Sequence, residues 1–142
     1  MIKKDFIKRK ITLIQDEMVK LSDLAKYAID EVAKDFVKQA AVERLLERII
    51  TRAIDINQHI AAESEDKNIS APKDYKETFA ALADIGIYDK KFAEEISKSV
   101  STRNMLVHEY DKVDYSKVYN SIGDCLRDYN KYCEYILNYL EK

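Results

Sequence analysis

Lys4-Asp5-Phe6-Ile7-Lys8-Arg9-Lys10-Ile11-Thr12-Leu13-Ile14-Gln15-Asp16-Glu17-Met18-Val19-Lys20-Leu21 carries apolar residues at alternating steps of four and three: Ile7, Ile11, Ile14, Met18, Leu21. The alternation runs on through Ala25, Ala28 and Val32, so the seam covers residues 4–33. Only a helix puts residues at these steps on one face. A heptad-like seam packs helices nearly parallel, as in bundles. Phe6, Leu13 and Leu24 widen the stripe.

Outward from this helix the same spacing recurs. The seam loses register across Lys34–Gln39, where Asp35 is suited to cap a new start. A second long helix is predicted over residues 37–63, with Val42, Leu45, Ile49, Ala53, Ile56 and Ile60 inward. Residues 64–73 hold the single proline and read as a polar loop. Asp74 and Glu77 form a capping-box-like start for a short helix with Phe79, Leu82 and Ala83 inside, closed by Gly86. Asp89 suits the N-cap of a helix carrying Phe92, Ile96 and Val100 and running on through Tyr110. Residues 111–114 break it, and Asp114 caps the last helix, where Tyr115, Val118, Ile122, Cys125, Tyr129, Tyr132, Ile136 and Tyr139 form another seam. Six of the ten tyrosines lie there, spaced for core and interface packing.

Composition agrees. The chain has two glycines and one proline in 142 residues, against about ten and seven at average usage, and these are the residues tight β-turns consume. The expected architecture is one all-α domain over residues 1–142, an up-and-down bundle of about five helices whose first two are long. Cys125 and Cys133 lie about 12 Å apart along one helix, too far to bridge, and read as buried free thiols. With 24 basic and 26 acidic residues the net charge is −2, which removes a whole-surface basic footprint for nucleic acid but leaves room for a local one. No apolar run approaches the roughly 18 residues that span a membrane, and the charged N-terminus has no signal-peptide core. The expectation is a cytoplasmic protein with no membrane segment.

Two groups of polar residues are candidates for chemistry. Arg44, Arg48 and Arg52 stand at successive i+4 steps, followed by Asp55 and His59. With Glu43 and Glu47 alongside, the row reads either as an ion-paired surface or as a groove supplying positive charge to phosphates. Asp55 and His59 alone are too few ligands for a catalytic zinc site, and no metal or cofactor is expected. The second group is Ser101-Thr102-Arg103-Asn104-Met105-Leu106-Val107-His108-Glu109-Tyr110, anchored by its apolar centre. Asn104 and His108 share a face, so the amide is placed to orient the imidazole. Arg103 lies about 140° around from His108 and must reach across, or a second subunit must complete the set.

These residue types suit phosphodiester cleavage without a metal. Imidazole moves protons near neutrality, and guanidinium matches phosphate oxygens while keeping its charge. RNA supplies its own 2′-OH nucleophile. An ordinary surface cluster has the same composition, and both readings stand on chemistry alone.

Arg103-Asn104-x-x-x-His108-x-Tyr110 resembles the Arg-x4-6-His signature of the HEPN superfamily, in the Arg-x4-His-x-Tyr form of HepT-like ribonuclease toxins. Val42-Glu43-Arg44, Ala53 through Ile60 and Leu82-x-x-x-Gly86-Ile87 also resemble that family. The resemblance implies a HEPN-like bundle that dimerises, bringing two motifs to one cleft. It implies a metal-independent endoribonuclease toxin of a type VII-like toxin–antitoxin pair, leaving a 2′,3′-cyclic phosphate and a 5′-OH. Arg103 and His108 would be catalytic, with Asn104 in support. The implied partner is a minimal nucleotidyltransferase antitoxin, in a complex that extends beyond the dimer, silencing the toxin by AMP transfer to Tyr110. The superfamily also includes non-catalytic adaptors that bind a nucleotidyltransferase or a nucleotide, which is the alternative function.

Overall fold

The computed structural model describes residues 1–64, 71–108 and 113–142, and every regular element among them is helical. In chain order these are α1 (Lys4–Leu24), α2 (Ile29–Lys34), α3 (Phe36–Glu63), α4 (Tyr75–Ile85), α5 (Lys90–Ser97), α6 (Ser99–His108) and α7 (Tyr115–Leu140). The all-α bundle expected from periodicity is the architecture found. Among the described residues no helix is long and apolar enough to cross a membrane.

Helix ends follow the predicted chemistry. The Asp35 carboxylate accepts from the Val37 and Lys38 amides at 3.0 and 3.2 Å, and Asp89 accepts from the Phe92 amide at 2.7 Å. Asp74 accepts from the Glu77 amide at 2.8 Å while the Glu77 carboxylate accepts from the Lys73 amide at 2.6 Å. Asp114 caps α7 through the Ser116 and Lys117 amides. Gly86 closes α4 at φ 94°, the left-handed conformation that glycine adopts without Cβ strain. The loop predicted over residues 64–73 falls mostly on 65–70, outside the described residues.

Two helices read as continuous are divided. The first ends at Leu24, with α2 separate, and both Ala25 and Ala28 are exposed although they hold seam positions. An alanine adds little apolar area of its own, so nothing at these two positions pulls the chain onto the core. The Tyr119 hydroxyl also donates to the Tyr27 carbonyl, tying this connection to α7. The second division falls at Lys98, between α5 and α6. There the Ser99 hydroxyl donates to the Ile96 carbonyl at 2.7 Å and meets the Tyr129 hydroxyl at 2.7 Å, so a side chain competes for a carbonyl the ladder would use. "About five" helices thus become seven segments by two local breaks.

α1 and α3 run antiparallel, with Lys3 beside His59, Lys10 beside Asp55, and Glu17 beside Arg52. α3 touches α1, α2, α4, α6 and α7. A helix so placed is apolar on more than one side, which is why Leu46, Ile50 and Ile54 are buried beyond the predicted stripe. Val118, Ile122, Cys125, Tyr129, Tyr132 and Ile136 of the α7 seam are buried, while Tyr115 and Tyr139 are half-buried. Phe79, Tyr88, Phe92, Tyr129, Tyr132 and Tyr135 form a continuous ring cluster between α4, α5 and α7. Burial pushes the Tyr88, Tyr129 and Tyr132 phenols well above their ordinary range. Cys125 and Cys133 are free and buried, and burial raises the Cys133 thiol to about 12.

Candidate active site

α6 presents Arg103, Asn104 and His108 at the surface of the bundle, anchored from beneath by buried Val100 and Leu106. Val107, expected to share that anchoring, is instead exposed. Asn104 and His108, one turn apart, line an open cleft of about 700 Å³ together with Lys73, Asp74, Tyr75, Lys76 and Val100. The cleft therefore has two lysines and an imidazole against one carboxylate.

Arg103 is held on three sides. Its Nε donates to Thr51 Oγ1 of α3 at 3.3 Å, and its Nη1 donates to Asn104 Oδ1 at 3.2 Å. Its guanidinium carbon stands 4.9 Å from the ring centroid of Tyr75, in the first turn of α4. All three partners are neutral, and no carboxylate among the described residues pairs with Arg103. A fixed guanidinium that no carboxylate among the described residues offsets is suited to an anion.

Asn104 differs from expectation. Its amide oxygen accepts from the guanidinium, so it orients Arg103 where the helix geometry suggested imidazole. The reason is reach: the arginine side chain is long enough to fold back over its neighbour toward α3. Arg103, apart from His108 on the helical wheel, is thus linked through Asn104 and Tyr75 to the cleft that His108 lines. Tyr110 and Glu109 lie outside the described residues.

The arginine row satisfies parts of both its readings. Arg44, Arg48 and Arg52 line a groove of about 300 Å³ with Lys10, Glu47, Thr51 and Asp55. Yet the row is ion-paired: Arg44 with Glu47 at 3.1 Å, and Arg52 Nε with Glu17 Oε1 at 2.5 Å. Arg48 Nε lies 3.1 Å from Glu17 Oε2, near enough for charge but not aligned as a hydrogen bond. Asp55 pairs with Lys10 at 3.1 Å. His59 stands apart from the groove, where it accepts from the Lys3 amide at 3.0 Å and packs against the Phe6 ring. Among the described residues no group of three or more metal-ligating side chains occurs.

Thr51, Tyr75, Lys73 and Lys76 were not singled out from the sequence. The capping box at Asp74 places Tyr75 in a first turn, but no local spacing connects that turn to α6. Thr51 accepts from Arg103 and also lines the arginine groove, so Arg103 bonds one lining residue of the groove, Thr51, and one of the cleft, Asn104.

Known proteins resemble this chain in sequence and in fold. The tRNA nuclease HepT of Aphanizomenon flos-aquae is 33% identical over 136 residues, covering 94% of this chain and 89% of its own. The mRNA nuclease HepT of Shewanella oneidensis is 25% identical over 103 residues, covering 72% of this chain and 75% of its own. The solved structure of a tri-AMPylated Shewanella oneidensis HEPN toxin in complex with MNT antitoxin superposes with a TM-score of 0.81 at 23% identity, covering 94% of this chain and 98% of that one. The profile of the family described as "Ribonuclease HepT-like" matches residues 14–136, nearly the whole bundle, and the chain belongs to that family of ribonucleases.

Proposed function

We propose that this protein is the metal-independent endoribonuclease toxin of a toxin–antitoxin pair, with Arg103, Asn104 and His108 as its active site. The observation that carries the reading is the state of Arg103: a positive charge fixed by Thr51, Asn104 and Tyr75, all neutral, beside a cleft lined by His108. The RNA 2′-OH passes its proton to a base and attacks the adjoining phosphorus, and the P–O5′ bond breaks as an acid protonates the leaving oxygen, His108 being one of the two and water the other. Arg103 stabilises the negative charge of the five-coordinate phosphorane. His108 moves a proton to or from an RNA oxygen, and the products end in a 2′,3′-cyclic phosphate and a 5′-OH. Asn104 keeps the guanidinium in place.

A homodimer completes the site, because two copies of the motif facing one cleft let Arg103 of one protomer act with His108 of the other. RNA extends from the cleft toward the arginine groove, where Arg44 and Arg48 are the more exposed cations; Arg52 and Asp55 hold that surface together through Glu17 and Lys10, and His59 lies outside it. A cytoplasmic location goes with this substrate. The relatives named as tRNA and mRNA nucleases make both RNA classes the substrates to try. The AMPylated toxin bound to its antitoxin supports a nucleotidyltransferase partner. AMP on Tyr110 would set an anionic phosphate near Arg103 and compete with RNA for it.

The test is cleavage of tRNA and of mRNA by purified protein in EDTA, comparing wild type with His108→Ala and Arg103→Ala. Wild type cleaves, and both variants lose activity while keeping helical content. A wild type inert on both RNAs would return the protein to the non-catalytic adaptor reading. Incubation with the nucleotidyltransferase and ATP adds AMP to wild type, and a Tyr110→Phe protein that still gains it would move the modification elsewhere.

A further inference from the structure

Buried polar side chains in a helical core call for a reason, and this core has a connected set. The Tyr132 hydroxyl of α7 donates to Asn57 Oδ1 of α3 at 2.6 Å, with the Ala53 carbonyl a second acceptor at 3.2 Å. Asn57 Nδ2 donates to Thr78 Oγ1 of α4 at 3.2 Å. Thr78 Oγ1 in turn donates to the Tyr75 carbonyl at 2.6 Å. Asn57 and Thr78 are both buried, so these bonds are sheltered from water and hold their geometry. The chain of bonds begins in the last helix, crosses the central one and ends on the backbone of Tyr75.

Tyr75 is fixed from outside as well, since the reciprocal bonds between Lys73, Asp74 and Glu77 clamp the turn that carries it. Its ring is only half-covered. The Arg103 guanidinium lies over it at 4.9 Å, and the same residue borders the cleft that Asn104 and His108 line. Thr51 and Asn104 each take one guanidinium nitrogen, whereas the guanidinium carbon stands over the ring. An arginine side chain without such a plane samples many rotamers, and only those aimed at the phosphorus assist the reaction.

We propose that Tyr75 is a positioning residue for Arg103, its ring fixing the plane of the guanidinium and the buried Tyr132–Asn57–Thr78 bonds holding the turn that carries the ring. The inference rests on the reading of Arg103 as the group that stabilises the phosphorane, and it adds a residue from a different helix to that site. The stacking uses the ring face alone, so the Tyr75 hydroxyl is dispensable and the ring is not.

The experiment compares Tyr75→Phe and Tyr75→Leu with wild type, first in cleavage kinetics on the RNA that wild type cuts. Tyr75→Phe stays within about twofold of wild type, while Tyr75→Leu loses on the order of tenfold in kcat with KM little changed. A loss confined to KM would mean the ring binds RNA directly and would overturn the positioning role, as would a Tyr75→Leu protein with wild-type kcat. The second readout needs no activity: the Arg103 Nε–Hε resonance in NMR spectra, assigned by its disappearance in Arg103→Lys. It is displaced by the ring in wild type and Tyr75→Phe and moves to the value of a free arginine in Tyr75→Leu. An unmoved resonance would refute the stacking even if wild type cleaves no RNA, and a wild type that cleaves none would refute the enzymatic reading without touching the resonance result.

Discussion

Two sets of arginines meet α3, and they are held in opposite ways. Arg52 and Arg48 converge on Glu17 of α1, whose side chain is only 7% exposed. Arg103 reaches α3 from the other direction and is held by a hydroxyl, an amide and a ring. In the first set one buried carboxylate is shared by two guanidiniums and offsets about half of their formal charge, and that attraction is strong where water is scarce. In the second the side chain is held by neutral groups, and no carboxylate among the described residues pairs with it. An arginine becomes a phosphate site through what holds it. The row that looks most basic in the sequence is the one the fold has compensated.

The largest expected effect separates the two sets by chemistry. Arg103→Ala and His108→Ala each reduce RNA cleavage by roughly a hundredfold or more, the scale of losing a preorganised charge-stabilising group. Circular dichroism and thermal midpoint stay near wild type, because neither residue belongs to the core. Unfolding of either variant would place Arg103 with the structural set.

Glu17→Ala tests the other side. Removing a buried carboxylate leaves Arg52, itself 16% exposed, without its ion-pair partner and beside Arg48 and costs about 2–3 kcal/mol, less than for a fully buried pair because both arginines can turn toward solvent. The thermal midpoint drops by several degrees, while cleavage per folded molecule changes by less than about threefold. A Glu17→Ala protein that folds normally and no longer cleaves RNA would break the distinction between the two sets.

Alkaline unfolding sharpens it further, since arginines stay charged throughout. Burial raises the folded-state pKa of Tyr88, Tyr129 and Tyr132 above the ordinary value of 10.0, and that of Tyr115 to about 12. The unfolded chain therefore releases these protons first. The stability they contribute is complete below pH 10 and is lost as pH rises past it, continuing through about 12 for Tyr115. Each deeply buried phenol accounts for roughly 1 kcal/mol between pH 10 and 11. Denaturant midpoints of wild type and Glu17→Ala should fall in parallel over that range; diverging slopes would assign part of the alkaline loss to the ion-pair set.

Arg44→Ala is the smallest effect. Arg44 is 63% exposed and paired with Glu47 at i+3, so stability changes by less than about 0.5 kcal/mol. If RNA follows the groove, the salt dependence of binding loses at most about one phosphate contact, and cleavage at low salt stays within about twofold of wild type. A loss matching that of Arg103→Ala would promote the row to the active site.

Much of this molecule is legible from local rules. Asp35, Asp74, Asp89 and Asp114 cap the helices they were expected to cap, because a carboxylate accepting from the next turn's amides acts within three residues. The Ile7–Leu21 and Val118–Ile136 seams are buried as their spacing requires. Illegible features depend on partners far along the chain. Ala25 and Ala28 keep the period but bury nothing. The break ahead of α6 depends on Ser99 meeting Tyr129. Glu17, beside the seam residue Met18, reads as a solvated charge until α3 brings two arginines to it.

The sequence by itself determined the helical class, the caps, most of the core and the Arg103–His108 segment with its family, since each is written in periodicity or in a contiguous motif. Tertiary structure decided that Glu17 pairs with both Arg48 and Arg52, that Thr51 holds the Arg103 Nε, and that Tyr75 lies beneath the guanidinium. Burial and charge compensation are properties of a neighbourhood assembled by packing, and packing joins residues that no spacing along the chain connects.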